Sequence, residues 1–227
     1  MSIKTNKSIF YHIPKTGGTW ANLAIRHSTK KNKDFTYLRP KIDYNVKNNT
    51  AYMNLLIAHA FGMSGAHETK WGIDSEDKDG LFSYSFVREP LAWYKSYWAS
   101  AQYMRDHNSK LWNRSVLHHL LKDDFEGFVN NVVKIFPMGA LTAIYKCFLG
   151  ENGDDLDFVG KQENLVEDFI TAMKMAGENF DEKKVRDIGI QNSGEKWKKD
   201  VSFDISRTTR NKLMKSEKWV TKTFYNG

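Results

Sequence analysis

The 227-residue chain contains little cysteine and little proline, and it has no long apolar run. The single cysteine, Cys147, excludes an internal disulfide and any metal site built from several thiolates, and its apolar surroundings predict a buried, inert thiol. The seven histidines show no HExxH or comparable metal-binding spacing. No stretch approaches the roughly 18 apolar residues of a membrane span, and the N-terminus lacks the apolar segment of a signal peptide. We therefore expect a cytoplasmic protein without a metal site or a membrane anchor.

The charge of the chain is biased towards basic residues, with 34 Lys and Arg against 27 Asp and Glu and a formal net charge of +7. This excess favours an anionic partner. The lysines are dispersed, however, and the longest basic run is Lys30–Lys31, with none of the blocks typical of nucleic-acid-binding arms. A nucleotide or an acidic polysaccharide therefore fits the charge better than DNA or RNA.

The apolar pattern predicts a single α/β domain that spans residues 1–227. Short apolar runs predict strands at 8–13, 53–61, 81–88 and 156–160. Helical patterns cover 19–29, a segment that begins at Pro90, 111–149 with breaks near Asp123–Asp124 and Pro137, 163–177, and about 206–224. The polar segments 30–50 and 178–204 predict an exposed connection and a loop. Strands that alternate with helices indicate a central parallel sheet flanked by helices, in which ligands bind beyond the carboxyl ends of the strands.

A lysine and two glycines follow the first predicted strand in the stretch IFYHIPKTGGTW, residues 9–20. Glycine lets the backbone approach an anion closely, and the positive end of the next helix would face the same point. Lys15 would add a full charge, and the hydroxyls of Thr16 and Thr19 would add hydrogen-bond donors. A Walker A loop has its lysine after the second glycine, whereas the lysine here precedes both. The stretch predicts a phosphate-type site without that nucleotide triphosphatase motif, and a plain Gly-Gly turn is the structural alternative.

A second basic position ends the third predicted strand, in FVREPLAWYKSYW. Arg88 would project from the sheet edge where the lysine loop also lies, and Ser96 follows eight residues later in the next helix. A guanidinium can bind a phosphate through two hydrogen bonds, and a serine adds a hydroxyl. An ion pair with a carboxylate such as Glu89 is the structural alternative for Arg88. Together, Lys15 and Arg88 predict two anion sites that meet at one edge of the sheet.

These two segments resemble the cofactor signatures of the sulfotransferases that use 3′-phosphoadenosine 5′-phosphosulfate (PAPS). The most similar branch includes heparan sulfate 2-O-sulfotransferases and bacterial carbohydrate sulfotransferase-like proteins. In that family a loop of the form hIPKTGGT, matched by residues 12–19, binds the 5′-phosphosulfate, and a segment of the form FVRxPxxxxxS, matched by residues 86–96, binds the 3′-phosphate. Weaker matches are DFVGKQENLVEDF (157–169), with Lys161 where arginine is usual, and IQNSGEKW (190–197). The resemblance implies a nucleotide-kinase-like, P-loop-like sulfotransferase fold.

The resemblance also implies a mechanism. The family transfers a sulfuryl group from PAPS to an acceptor, releases adenosine 3′,5′-bisphosphate and uses no catalytic metal. Lys15 would stabilise the leaving 5′-phosphate oxygen, while Arg88 and Ser96 would select the 3′-phosphate. The implied cofactor-binding residues are Lys15, Thr16, Gly17, Gly18, Thr19, Trp20, Arg88 and Ser96.

An acceptor hydroxyl needs a general base, and the sequence offers three. His67 follows the second apolar run and lies 21 residues before Arg88, a distance similar to that of the catalytic histidine in the 2-O-sulfotransferase branch. His59 lies inside the run, where a hydrogen-bonded core histidine is the structural alternative. Glu68 is the third candidate, since other branches of the family use a glutamate.

Two other readings of the sequence remain open: a nucleotide-dependent phosphotransferase, and a non-catalytic relative that binds a nucleotide or polyanion. The resemblance favours a carbohydrate hydroxyl as the acceptor, with a small metabolite or a lipid headgroup as alternatives, and the oligomeric state is not predicted. The aromatic residues of the helix after Pro90 predict core packing, with stacking on adenine or a sugar ring as the alternative. The pairs His118–His119 and Asp123–Asp124 predict solvated faces.

Overall fold

The structure of the chain, a computed structural model, describes residues 2–29, 35–38, 60–61, 80–107, 115–189 and 202–225. Five strands in these ranges form one sheet in the spatial order β3-β1-β2-β4-β5. The strands are β1 (Ile3–Thr5), β2 (Ser8–Phe10), β3 (Phe35–Tyr37), β4 (Phe82–Val87) and β5 (Phe158–Lys161). The helices are α1 (Gly18–Ser28), α2 (Pro90–Asp106), α3 (Phe125–Ile135), α4 (Ala140–Leu149), α5 (Leu165–Met175), α6 (Glu182–Arg186), α7 (Arg207–Ser216) and α8 (Lys218–Phe224).

The sheet is mixed rather than parallel throughout. Strands β2, β4 and β5 are parallel, as predicted, and long connections that contain helices separate them in the sequence. Strand β1 pairs antiparallel with both β2 and β3, so the prediction of a parallel sheet does not hold at this edge. Only Asn6 and Lys7 connect β1 to β2, and a link this short permits an antiparallel hairpin but no parallel crossover.

Helices cover both faces of the sheet because the strand side chains alternate between two apolar clusters. Ile9 and Val87 face one cluster, which includes apolar residues of α2, α3, α4, α7 and α8. Phe10 and Phe86 face the other, which is completed by α1, α5 and α6. Since both faces are covered, the parallel strands are buried and their carboxyl ends open towards the loops that carry the basic residues.

Several sequence predictions need correction. The segment 30–50 contains β3, and the segment 178–204 contains α6, so neither is wholly irregular. The predicted strand at 53–61 lies outside the described residues except at Ala60, which is helical, and Phe61, which is in a turn. The last helix is divided into α7 and α8 at Glu217.

The histidine pair in the middle of the chain is also not a solvated face throughout. His118 is only 6% exposed and lies against the ring of Tyr97, with the ring centres 6.0 Å apart, whereas His119 is exposed. Burial lowers the pKa of His118 to about 4, so this side chain is neutral at pH 7. Asp123 and Asp124 are exposed as predicted, and Asp124 caps α3 by accepting a hydrogen bond from the Gly127 N–H.

The buried carboxylate of Glu217 fixes the start of α4. It accepts hydrogen bonds from the Tyr94 hydroxyl at 2.6 Å, from the Leu141 N–H at 3.0 Å, and from the Thr142 N–H and hydroxyl at 2.9 and 2.7 Å. Because Gly139 offers no capping side chain, Glu217 satisfies the N–H groups at this helix end from a distant part of the chain. The buried thiol of Cys147 lies in the same helix, as predicted.

In the described ranges, no single helix is long and apolar enough to cross a bilayer, and the pair α3 and α4, bent by 64°, meets that length and composition only when the two are joined.

Candidate functional site

The lysine loop between β2 and α1 is held in an unusual backbone conformation. Lys15 has φ +66° and Gly17 has φ +93°, so two residues of the turn are left-handed. A non-glycine residue in this region is uncommon and is often associated with function. The Thr16 hydroxyl is buried and donates to the Ile13 carbonyl at 2.9 Å, which closes the turn. Thr16 therefore shapes the loop, and its hydroxyl is not free to face a ligand.

Both glycines of the loop are required by their surroundings. Gly17 has the positive φ, and a Cβ there would lie 2.6 Å from Leu165 of α5. A Cβ on Gly18 would lie 1.8 Å from the imidazole of His12, which packs directly on this backbone. The pair is thus more than a plain turn, because α5 and His12 close on the loop from two sides.

The N-terminus of α1 presents N–H groups that find no acceptor among the described residues. The first helical hydrogen bond runs from the Ala21 N–H to the Gly17 carbonyl at 3.0 Å, so the N–H groups of Gly18, Thr19 and Trp20 have no partner within the helix. Gly17 provides no capping side chain, and the first turn contains no acidic residue. This end of the helix is therefore suited to an anion from outside the chain.

Arg88 lies beside this loop, as the sequence predicts. It follows the end of β4, and its Nη1 donates to the Lys15 carbonyl at 3.2 Å. Its Nε is buried and has no hydrogen-bond partner in the part of the chain that the structure describes. Among the described residues Arg88 makes no ion pair with a carboxylate, and Glu89 instead caps α2 by accepting from the Ala92 N–H at 2.7 Å. The predicted alternative, an Arg88–Glu89 ion pair, is therefore wrong.

Burial and like charge both act on the two cations. Burial, followed by the charge of Arg88, lowers the pKa of Lys15 to about 8. Burial also lowers the pKa of Arg88, which negative charge on residues such as Glu163 partly offsets, and a guanidinium remains charged at neutral pH. In the described ranges the Lys15 ammonium has no carboxylate partner. The site thus combines two neighbouring positive charges with free N–H groups.

Three side chains hold these two segments in place through contacts that the sequence did not predict. The Tyr145 hydroxyl accepts from the Arg88 N–H at 2.7 Å and donates to the Arg88 carbonyl at 3.1 Å. The Trp93 indole donates to the Pro14 carbonyl at 2.9 Å. Glu163, inside the weakly matching stretch 157–169, accepts from the Glu89 N–H at 2.8 Å. That weak match was the sequence signal for Glu163, and the aromatic pattern after Pro90 was the signal for Trp93.

The other predicted site residues are placed differently. The Trp20 ring is buried and packs edge-on against Phe169, so Trp20 offers only its backbone N–H at the start of α1. Thr19 is exposed. Ser96 is partly buried and lies one turn beyond Trp93 on α2, without a hydrogen bond to Arg88. Trp93, Tyr94 and Trp98 are buried, in agreement with the packing prediction. The candidate bases His67, His59 and Glu68 and the stretch 190–197 lie outside the described residues.

The fold and the site define an α/β protein with a basic, backbone-lined site at the carboxyl edge of its parallel strands. No protein-family model, curated protein or solved structure matches the chain. Across the described ranges, no three His, Cys, Asp or Glu side chains converge to hold a metal ion.

Proposed function

We propose that this protein is a PAPS-dependent sulfotransferase with a nucleotide-kinase-like fold. The observation that supports the proposal most directly is the contact between Arg88 and the lysine loop, in which Nη1 lies 3.2 Å from the Lys15 carbonyl. A nucleotide with phosphates on both the 5′ and 3′ positions needs two anion sites close together. The two segments that resemble the family's cofactor signatures are neighbours in the fold, although 73 residues separate them in the sequence.

The residues present fit such a ligand. The Arg88 Nε is a buried donor that lacks a partner within the described ranges, and a phosphate oxygen would supply one. Gly17 and Gly18 permit the tight turn that leads into α1, because a Cβ at either position would collide with Leu165 or His12. The Lys15 ammonium, which has no carboxylate partner in the described ranges, would attract the 5′-phosphate by its charge. The first-turn N–H groups of α1 would orient that phosphate through hydrogen bonds.

In the proposed reaction, bound PAPS supplies the sulfuryl group and a bisphosphate leaving group. Lys15 and the N–H groups of Gly18, Thr19 and Trp20 would stabilise the negative charge that develops on the 5′-phosphate. Arg88 and Ser96 would hold the 3′-phosphate and so keep the nucleotide in one orientation. His67 is our first choice for the base that takes the acceptor proton, with His59 and Glu68 as alternatives. The acceptor we propose is a carbohydrate hydroxyl, because the net positive charge suits an anionic glycan.

Equilibrium binding of adenosine 3′,5′-bisphosphate tests the proposal. We expect the wild-type protein to bind it without Mg²⁺ and to prefer it over 5′-AMP, which lacks the 3′-phosphate. In Arg88→Ala the affinity should fall roughly tenfold to a hundredfold, because hydrogen bonds to a charged group are removed. Arg186→Ala is the matched control, since Arg186 is an exposed arginine that pairs with Glu167 and Glu182.

Sulfate transfer from radiolabelled PAPS to a panel of sugars then separates an enzyme from a binding protein. Bisphosphate binding without any transfer would indicate the non-catalytic relative. A preference for ATP with Mg²⁺ over the bisphosphate would refute the proposal in favour of a phosphotransferase.

A further inference from the structure

A second candidate site lies away from the basic loop, between the start of α4 and the last two helices. The described residues enclose there a cleft of about 640 Å³. Its lining includes the apolar residues Ile135, Met138 and Trp219 and the basic residues Lys215, Lys218 and Lys222. A volume of this size is typical of sites for small organic ligands.

The apolar part of the cleft is unusually exposed. Of the large apolar side chains that the described residues leave exposed, Ile135 at 54% and Met138 at 82% both line the cleft, while Met175 at 56% lies elsewhere on α5. Clustered exposed apolar side chains mark binding sites more often than scattered ones do. The indole of Trp219 adds an aromatic surface to the same wall.

The net charge of the cleft lining is positive, with four lysines and one glutamate. Lys215, Lys218 and Lys222 are exposed and make no ion pair within the described part of the chain, and Lys218 and Lys222 are four residues apart on one face of α8. The acidic lining residue, Glu151, is already paired with Lys146 at 2.5 Å. Three free ammonium groups therefore stand beside an apolar surface, which complements a molecule with an apolar body and an anionic head.

We propose that this cleft binds a single-chain anionic amphiphile as a dissolved monomer. The apolar chain lies against Ile135, Met138 and Trp219, and a carboxylate or sulfate head is held by Lys218 and Lys222. The cleft and the basic site use different faces of α4, since Thr142, Ala143 and Lys146 line the cleft whereas Tyr145 reaches Arg88. This inference therefore does not depend on the proposed sulfotransferase activity.

Calorimetric titration with decanoate, below the concentration at which it aggregates, tests the assignment. We expect saturable binding at one site, and weaker binding of the neutral decanol. In Lys218→Gln/Lys222→Gln the affinity should fall about tenfold, because two exposed charges that each act at the strength of a surface ion pair are lost. Lys134→Gln/Lys212→Gln removes the same charge from exposed positions outside the cleft and should bind decanoate like the wild type.

A second pair of variants tests the apolar wall without disturbing the core. Met138→Glu places a negative charge in the cleft and should weaken decanoate binding at least about tenfold, as the double lysine variant does. Met175→Glu makes the same change at an exposed methionine outside the cleft and should leave decanoate binding unchanged. The proposal is overturned if the wild type shows no saturable binding, if either cleft variant matches its control, or if the protein binds anionic vesicles but not monomeric decanoate.

Discussion

The Tyr145 hydroxyl offers the sharpest test of how the fold positions Arg88. Tyr145→Phe keeps the buried ring and removes one oxygen, which bridges the N–H and the carbonyl of Arg88 at 2.7 and 3.1 Å. The partly buried N–H of Arg88 then lacks an acceptor, which costs about 1–3 kcal/mol of unfolding free energy. We expect the freed strand end to shift and the guanidinium to lose its alignment with a bound phosphate. The affinity for adenosine 3′,5′-bisphosphate should fall roughly tenfold, or about 1.4 kcal/mol.

Tyr94→Phe is the matched control. Tyr94 is also fully buried, and its hydroxyl donates to Glu217 at 2.6 Å rather than to the lysine loop or to Arg88. This variant should lose a similar amount of stability in urea unfolding monitored by circular dichroism, yet titration calorimetry should give wild-type affinity for the bisphosphate. Wild-type affinity in Tyr145→Phe, or equal weakening in both variants, would refute a positioning role for Tyr145.

Three further predictions concern the loop and the core. Gly18→Ala should destabilise the protein by about 1–3 kcal/mol in urea unfolding, because its Cβ would lie 1.8 Å from the His12 ring; unchanged stability would contradict this packing. The affinity for the bisphosphate should fall as pH rises through about 8, the pKa to which Lys15 is lowered, because only the protonated ammonium attracts an anion. In Lys15→Arg the affinity should be constant from pH 7 to 9, since a guanidinium stays charged. A pH dependence that persists in this variant would assign the effect to another group. Glu217→Gln should lower the melting temperature, because an amide cannot accept all four hydrogen bonds made to the carboxylate; a wild-type melting temperature would contradict that role.

The parts of the site that local sequence determines were predictable. An apolar strand followed by a lysine, two glycines and a helix is enough to predict β2, the turn and α1 from local sequence. This is possible because glycine and the helix end act on their nearest neighbours. The meeting of Lys15 and Arg88 followed from one general rule, that the carboxyl ends of parallel strands share an edge.

Contacts between distant side chains and backbone atoms were not predictable in the same way. Tyr145 reaches Arg88 across 57 residues and Trp93 reaches Pro14 across 79, and neither contact leaves a periodic trace in the sequence. Strands β1 and β3 were missed because three residues are too few to show alternation, and β3 lies in a polar segment. His118 was misjudged because burial in a single turn depends on Tyr97, which a sequence pattern does not show.

The cost of the basic site argues that it serves a ligand. Two cations side by side and partly buried oppose folding, as the lowered pKa of Lys15 indicates, and the left-handed backbone at Lys15 adds strain. The fold nevertheless fixes this arrangement through Tyr145 and Trp93. A turn that only connected β2 to α1 would need none of these features. An anion present at a free concentration of a hundred times its dissociation constant would stabilise the folded protein by about 2.7 kcal/mol, which is enough to offset such local costs.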